Sequence, residues 1–134
     1  MFAVVRRKES GMIVRRASLA PRGLLDGWAT ELDYVPPSAG SGHLSIRVYH
    51  LAPGGGPGPY HRHTSSDSAY FLLEGSLSVR LVAEVATLSP GDLAFIPAGV
   101  AHAVANAGET DAAFVEIYGP GAADFVMIED SSPT

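Results

Sequence analysis

From residue 44 onward the chain is divided into short apolar runs, and this division constrains the fold more than any other feature of the sequence. Clusters of Gly, Pro and Asp separate the runs, which cover residues 44–51, 70–73, 77–82, 85–88, 93–96, 101–104, 113–118 and 125–128. Many short strands joined by turn residues are typical of a closed antiparallel sandwich or barrel. The sequence therefore predicts an all-β domain.

Two histidines follow a loop rich in glycine and proline, and a third follows a turn. His61 and His63 are separated by one residue, so in an extended strand their side chains project from the same face. His102 comes shortly after Pro97 and Gly99 and begins a new apolar run. Because the chain has no cysteine, a metal ion would be bound by imidazole or oxygen. A single pair of this kind also occurs on ordinary surface strands, so the pair alone is a weak signal.

The spacing of these residues resembles the two signature motifs of the cupin superfamily. The positions that carry the resemblance are Gly55, His61, His63 and Gly75 for the first motif, and Gly91, Pro97, Gly99, His102 and Asn106 for the second. The resemblance covers residues 44–118. It implies a double-stranded β-helix, the jelly-roll barrel of the cupins.

The first motif departs from the cupin pattern at its acidic residue. Counting back from Gly75 places Ser68 at the position of the usual glutamate, with Asp67 just before it. If Asp67 turns inward, the metal ligands are His61, His63, His102 and Asp67. If it does not, three histidines remain, as in cupin thiol dioxygenases and a diketone-cleaving dioxygenase that hold ferrous iron. A third interpretation is that Asp67 caps its own polar loop.

The resemblance implies a metal-dependent enzyme that acts on a small organic molecule. We favour dioxygenase chemistry with Fe²⁺ over isomerase, decarboxylase or cyclase chemistry, and Mn²⁺, Ni²⁺ and Zn²⁺ are the other candidate ions. The cupin fold hosts unrelated functions, so two alternatives stay open. One is a non-catalytic cupin that binds or senses a small molecule through its metal. The other is a metal-free lyase or epimerase that uses histidine and tyrosine as acid and base.

Strand alternation predicts which side chains line the cavity. Tyr70 shares a face with position 68, and we take it as the candidate catalytic residue, although a core tyrosine is the simpler interpretation. We expect Glu116 to face outward, because its neighbours Val115 and Ile117 are the aliphatic side of their strand. Asn106 is expected to stabilise the turn before Gly108. The other residues expected in the cavity wall are Leu72, Leu77, Val79, Leu81 and Val104, whereas Arg47, Tyr49 and His50 are left open.

The 134 residues are expected to form one structural domain in three parts. These are N-terminal strands and a loop (1–43), the barrel core (44–118), and a C-terminal strand and tail (119–134). Residues 24–32 are the one helix-like stretch, weakened by Gly27. The apolar runs 2–5 and 12–14 are flanked by arginines. This basic end of the chain suggests either solvated strand edges or, as the resemblance implies, the contact of a homodimer.

Composition excludes several classes of partner. The formal charge of −5 argues against a nucleic-acid-binding surface, which would be basic. The chain contains no apolar stretch long enough for a membrane span and no secretory signal pattern at its start, so we expect a cytoplasmic protein. The expected partner is a small-molecule substrate or ligand.

Overall fold

A computed structural model describes residues 11–36, 39, 42–120 and 124–129. The apolar run at 2–5, with its expected dimer contact, lies outside the described residues. The run at 12–14 forms no strand. No helix in the described part of the chain is long and apolar enough to cross a membrane.

The described residues form an all-β fold without an α-helix. Its strands are β1 (Arg22–Leu24), β2 (Ala29–Val35), β3 (Ser45–Leu51), β4 (His61–Arg62), β5 (Asp67–Glu74), β6 (Leu77–Arg80), β7 (Val85–Leu88), β8 (Leu93–Ile96), β9 (Ala103–Ala105), β10 (Ala112–Gly119) and β11 (Val126–Met127). Two short 3₁₀ turns, Arg16–Ser18 and Leu25–Gly27, complete the regular structure. The predicted strands from residue 44 onward are confirmed, with ends that shift by up to three residues.

The strands form two antiparallel layers. The first is a six-stranded sheet in the order β1-β2-β3-β10-β5-β8. The second contains β7-β6-β9 and the pair β11-β4, which meet at a bridge between His61 and His102. Reciprocal backbone hydrogen bonds of 3.0 and 2.8 Å make this bridge. The apolar core lies between the layers, as expected for a jelly roll.

Alternation along the strands determines which side chains are buried in the core. Leu77 and Val79 on β6 are buried in this core together with Tyr70 and Leu72 on β5. Leu72, Leu77 and Val79 were expected in the cavity wall, and they pack in the core instead. The intervening residues Phe71 and Leu73 point to the other face and are exposed. Glu74 is also exposed, at the end of β5 where the register with β10 shifts.

Residues 24–32 do not form the helix-like segment that their apolar spacing suggests. Instead β1 and β2 pair as a hairpin, and the turn between them contains Leu25, Asp26 and Gly27 with φ values of 55°, 58° and 88°. Three successive left-handed residues reverse the chain, which no right-handed helix does. The apolar spacing has another cause: Ala29 and Leu32 are both buried in the core.

At two positions a neighbouring group packs so close to the backbone that only glycine fits. A Cβ at Gly75 would lie 2.4 Å from the carbonyl oxygen of Asp111, and its φ of +80° is also left-handed. A Cβ at Gly55 would lie 2.6 Å from the ring of Trp28. The loop that leads to the histidines therefore packs directly on this indole.

Candidate metal centre

Three histidines meet between the layers, as the sequence predicted. The backbone bridge brings His61 beside His102, and alternation then turns His63 to the same side as His61. One ring nitrogen from each of the three lies within 4.8 Å of the others, and all three residues are buried. Groups at this spacing can bind one ion.

A backbone carbonyl orients each imidazole. The Nδ1 atoms of His61, His63 and His102 lie 2.8, 2.6 and 3.0 Å from carbonyl oxygens, which belong to Pro59, Asp124 and Val100 respectively. A carbonyl oxygen can only accept a hydrogen bond, so each Nδ1 carries the proton and each Nε2 keeps its lone pair. This arrangement fixes the tautomer that a metal-binding histidine needs.

The inward nitrogens have no partner in the protein. Nε2 of His63 and Nε2 of His102 are buried and accept no hydrogen bond. Buried polar atoms are almost always hydrogen-bonded, so two such nitrogens facing one point indicate a ligand between them. The three residues therefore fit a metal ion.

Burial favours the neutral form of two of these rings, His61 and His102. Loss of hydration lowers the pKa of His61 to about 4, with a further reduction from the neighbouring His102 and His63, against the opposing hydrogen bond to Pro59. Burial also lowers the pKa of His102. Neutral imidazole is the form that binds a metal, so His61 and His102 need no deprotonation near pH 7.

The structure does not bring Asp67 to the histidines. Asp67 is exposed at the start of β5, and its carboxylate accepts a hydrogen bond of 2.9 Å from the backbone N–H of Ala98. It stabilises a neighbouring loop, which corrects both the ligand assignment and the expected cap of its own turn. Ser68 points inward instead, and its Oγ is buried with no hydrogen-bond partner. The group of three histidines thus contains no carboxylate.

A cavity of about 350 Å³ opens beside the cluster, a size typical of small-molecule sites. Its wall includes His61 and His63 and is largely apolar or aromatic, with Leu24, Leu25, Trp28, Ala29, Leu51, Val104, Phe114, Tyr118 and Phe125. Tyr70 lines the cavity and is buried, and its ring lies 5.8 Å from that of His102. The placement agrees with a core tyrosine as well as with a substrate contact.

Glu116 is buried in the cavity wall, so the expectation that it faces outward was wrong. On β10 the inward side chains are Phe114, Glu116 and Tyr118, and Val115 and Ile117 face away. Register places Glu116 opposite Tyr70 on β5 and Arg47 on β3. Burial raises the pKa of Glu116 to about 7, although a hydrogen bond with Tyr70, the charge of Arg47 and a hydrogen bond with Tyr49 oppose the shift.

The two residues left open, Arg47 and Tyr49, belong to the same wall. The hydroxyl of Tyr49 donates a hydrogen bond of 2.7 Å to Glu31. Arg47 lies 3.6 Å from a carboxylate oxygen of Glu31 and 3.5 Å from one of Asp33. His50 does not join the metal cluster.

Residues near the C-terminus cover the histidines, and the sequence showed this only as a short apolar run. Phe125 stacks on His61 with ring centroids 4.0 Å apart. Asp124 supplies the carbonyl for His63, while its side chain accepts a hydrogen bond of 2.6 Å from the N–H of Thr64. No spacing rule links residue 124 to residue 63.

Comparison with known proteins places the chain in a family. A sequence profile of the cupin domain matches residues 47–118, more than half of the 134 residues. The chain therefore belongs to the cupin family, in agreement with its fold and its three inward histidines.

One similar protein comes from a plant. Germin-like protein subfamily 3 member 1 from Arabidopsis thaliana is 34% identical over 68% of this chain. The chain spans only 48% of that relative's length.

Two solved structures share the fold at low sequence identity. KdgF from Halomonas sp. has a TM-score of 0.74 over 84% of this chain and 96% of its own, at 18% identity. The polyketide cyclase RemF from Streptomyces resistomycificus has a TM-score of 0.75 over 90% and 87%, at 19% identity. At these identities the likeness establishes the fold alone.

Proposed function

We propose that this cupin is a metal-dependent enzyme that acts on a small organic molecule in the cavity beside the histidines. The observation that carries the proposal is the convergence of one ring nitrogen from each of three buried histidines, each with its Nδ1 held by a backbone carbonyl. In an ordinary core the Nε2 atoms of His63 and His102 would also have partners, and here both are buried without one.

The proposed ligands are His61, His63 and His102, and the proposed ion is Fe²⁺. Imidazole suits iron, zinc, nickel and copper. With no carboxylate in the group of histidines, the protein does not offset the charge of the ion. A bound divalent ion would polarise a substrate oxygen, and iron would add oxygen chemistry.

The cavity supports an aromatic or largely apolar substrate that carries oxygen. Trp28, Phe114 and Phe125 offer ring surfaces, and the histidine centre offers a place for a polar group. Tyr70 is proposed to orient a substrate oxygen. Burial raises its pKa well above the ordinary value, so its hydroxyl acts as a neutral hydrogen-bond donor.

Two reaction classes are proposed, and different observations support them. The set of three histidines without an acid supports a dioxygenase. The carboxyl of Glu116 in the same cavity supports proton transfer, as in isomerisation or cyclisation, and the fold neighbour RemF is described as a polyketide cyclase.

Elemental analysis of the purified protein tests the metal site. We expect near-stoichiometric metal in the wild type and less than a tenth of it in His102→Ala. The matched control is His50→Ala, because His50 is a histidine outside the cluster and should leave the metal content unchanged. Equal metal in His102→Ala and the wild type would overturn the proposal.

Substrate screens then separate the functional classes. Oxygen consumption by the iron-loaded protein supports dioxygenase chemistry, and isomerised product without oxygen uptake supports proton transfer. Binding without turnover supports the sensing alternative. Turnover that survives full removal of metal supports the metal-free lyase or epimerase.

The homodimer is also proposed, and the outer face of β5 and β8 supports it. Phe71, Leu93 and Phe95 are exposed on this face, and Phe71 lies opposite Leu93 across the two strands. Exposed apolar clusters of this kind often mark protein contacts. Sedimentation analysis should show a dimer that weakens in Phe95→Asp, and a monomeric wild type would contradict the proposal.

A further inference from the structure

We propose that Glu116 is the proton-exchanging group of the cavity, and that the substrate is a phenol or enol whose hydroxyl proton it takes up. The proposal rests on the proposed function, because the substrate oxygen is taken to bind at the histidine centre. It adds a residue outside the metal ligands and a chemical class of substrate.

The position of Glu116 supports this role. Its strand, β10, is central in the six-stranded sheet, and both neighbours β3 and β5 hold it in register. The residue is 7% exposed, and the little surface it keeps lies in the cavity that His61 and His63 also line. An acid in a central strand that faces an apolar cavity is costly to keep without a function.

The charged groups around Glu116 form their ion pairs mainly with one another. From β1, Arg22 pairs with Glu31 at 2.8 Å. From β3, Arg47 is shared between Glu31 and Asp33, both on β2. Arg22 and Arg47 thus pair with those two acids. The charge of Arg47 still lowers the pKa of Glu116 and that of Glu31 raises it, and the hydroxyls of Tyr49, Tyr70 and Tyr118 face the same carboxyl. A buried acid in this setting exchanges its proton more readily than one locked in an ion pair.

Burial is also the main cause that raises the pKa of Glu116 to about 7. A group with this pKa is present in both protonation states near neutral pH, which suits an acid–base residue.

The distance to the histidines suits a small ring. Tyr70 hydrogen-bonds with Glu116 and its ring lies 5.8 Å from that of His102. Tyr118, two residues along β10 on the same face, stacks on His63 with centroids 5.9 Å apart. One tyrosine side chain therefore separates Glu116 from the histidines. A single aromatic or enolic unit of the substrate can contact both Glu116 and the histidine centre.

The proton step is balanced without a co-reactant. The substrate O–H bond breaks, the electron pair stays on the substrate oxygen, and the proton forms an O–H bond with the Glu116 carboxylate. The same proton returns to the substrate oxygen or to a carbon conjugated with it, which regenerates the carboxylate. Nothing is oxidised or reduced in this exchange.

The test uses catechol as the probe, because its hydroxyls keep their protons at the pH of the titration, and zinc-loaded protein, since zinc has no redox chemistry. Calorimetric titration in two buffers of different ionisation enthalpy counts the protons released, about one pH unit above the pKa of about 7. We expect Glu116→Gln to release about one more proton per bound probe than the wild type. The exposed control Glu74→Gln should match the wild type.

An equal proton count in Glu116→Gln and the wild type would overturn the role of Glu116. Failure of the probe to bind zinc-loaded protein would overturn the substrate class. If Glu116→Gln does not fold, infrared spectroscopy of the wild type decides, because probe binding should create the carbonyl band of a protonated carboxylic acid. The absence of that band refutes the proposal.

Zinc content is measured first, and a protein that retains no zinc refutes the proposed function instead. In that case, infrared spectra of the metal-free protein still test Glu116. Its protonated band should appear as the pH falls through about 7, and a band that appears only near pH 4 to 5, the ordinary range of a glutamate, refutes the role.

Discussion

The two walls of the cavity are built in different ways. On the histidine wall, His61 and His102 are oriented by carbonyls only two residues before them in the chain. On the carboxyl wall, Glu116 depends on Tyr49 and Tyr70, which belong to other strands. The first wall is local in sequence except at His63, whose carbonyl partner belongs to the distant Asp124. The second wall exists only when three strands pair in register.

This difference indicates which side chains of the site keep their orientation when a distant part of the fold is altered. A locally oriented histidine keeps its direction as long as its turn is intact. A carboxyl that relies on partners from β3 and β5 loses them with any slip between strands, since a slip of one residue turns every side chain to the other face. Four predictions test the contrast.

Asn106→Ala should have the largest effect on stability. Its side chain joins the walls, because Nδ2 donates to the carbonyls of Leu51 on β3 and Thr110, and Oδ1 accepts from the N–H of Gly108. The last bond confirms the predicted turn. Loss of these buried bonds should lower the free energy of unfolding by about 3 kcal/mol. Denaturant titration measures it.

The exposed loop residue Glu109 provides the control, and Glu109→Ala should change stability by less than about 0.5 kcal/mol. If the histidine wall is truly local, Asn106→Ala should still bind metal when folded. Loss of metal from the folded variant would contradict the contrast.

Glu116→Gln should change how stability depends on pH in the metal-free protein. Because the folded pKa of Glu116 is raised from 4.5 to about 7, the protonated acid favours the fold below pH 4.5, and this contribution is lost as the pH rises through 7. The wild type should lose up to about 3 kcal/mol relative to the variant over that range.

Chemical denaturation of both proteins across this pH range measures the difference, and the histidine contributions cancel because both proteins contain them. Parallel curves of unfolding free energy against pH would show that Glu116 has an ordinary pKa. Burial of its carboxylate would then not lower the stability of the fold.

Asp124→Ala should weaken metal binding by about tenfold, a usual cost for losing a group that supports a ligand. The Asp124 side chain binds the N–H of Thr64 and so holds the carbonyl that orients His63. Competition with a chelator measures the affinity. Asp67→Ala is the matched control, because its exposed carboxylate contacts Ala98 and should leave metal affinity unchanged.

Equal affinities in the two aspartate variants would mean that His63 needs no distant support. The histidine wall would then be local throughout, and the comparison between the walls would become sharper.

Ser68→Ala should have the smallest effect. Ser68 stands where the family motif has an acid, and its buried Oγ has no partner. Removing an unsatisfied polar atom should leave stability within about 1 kcal/mol of the wild type or raise it slightly. Metal content should be unchanged, and a clear loss would show that the hydroxyl reaches the ion.

Much of the site was predictable because its information is local. The spacing of His61, His63 and His102 between glycine and proline turns predicted both their strands and their common face. Asn106 was predicted from its turn. These inferences succeed because a strand's alternation and a turn's geometry depend on residues that are neighbours in the chain.

Other features were decided by tertiary structure. Residues 24–32 repeat apolar side chains at a helical spacing, yet a left-handed turn and cross-strand pairing make them a hairpin. Either face of β10 could point into the protein, and hydrophobicity alone favoured the face with Val115 and Ile117. Only pairing with Tyr70 and Arg47 on the neighbouring strands shows that the face with Glu116 lines the cavity.

The sequence by itself determined an all-β cupin and the three histidines of its centre. The tertiary structure decided that Asp67 stays outside, that Glu116 lies inside, and that Asp124 orients His63. The physical reason is the range of the interactions. Alternation and turns act within a few residues, whereas the face a strand buries and the partner a side chain meets depend on strands far apart in the chain.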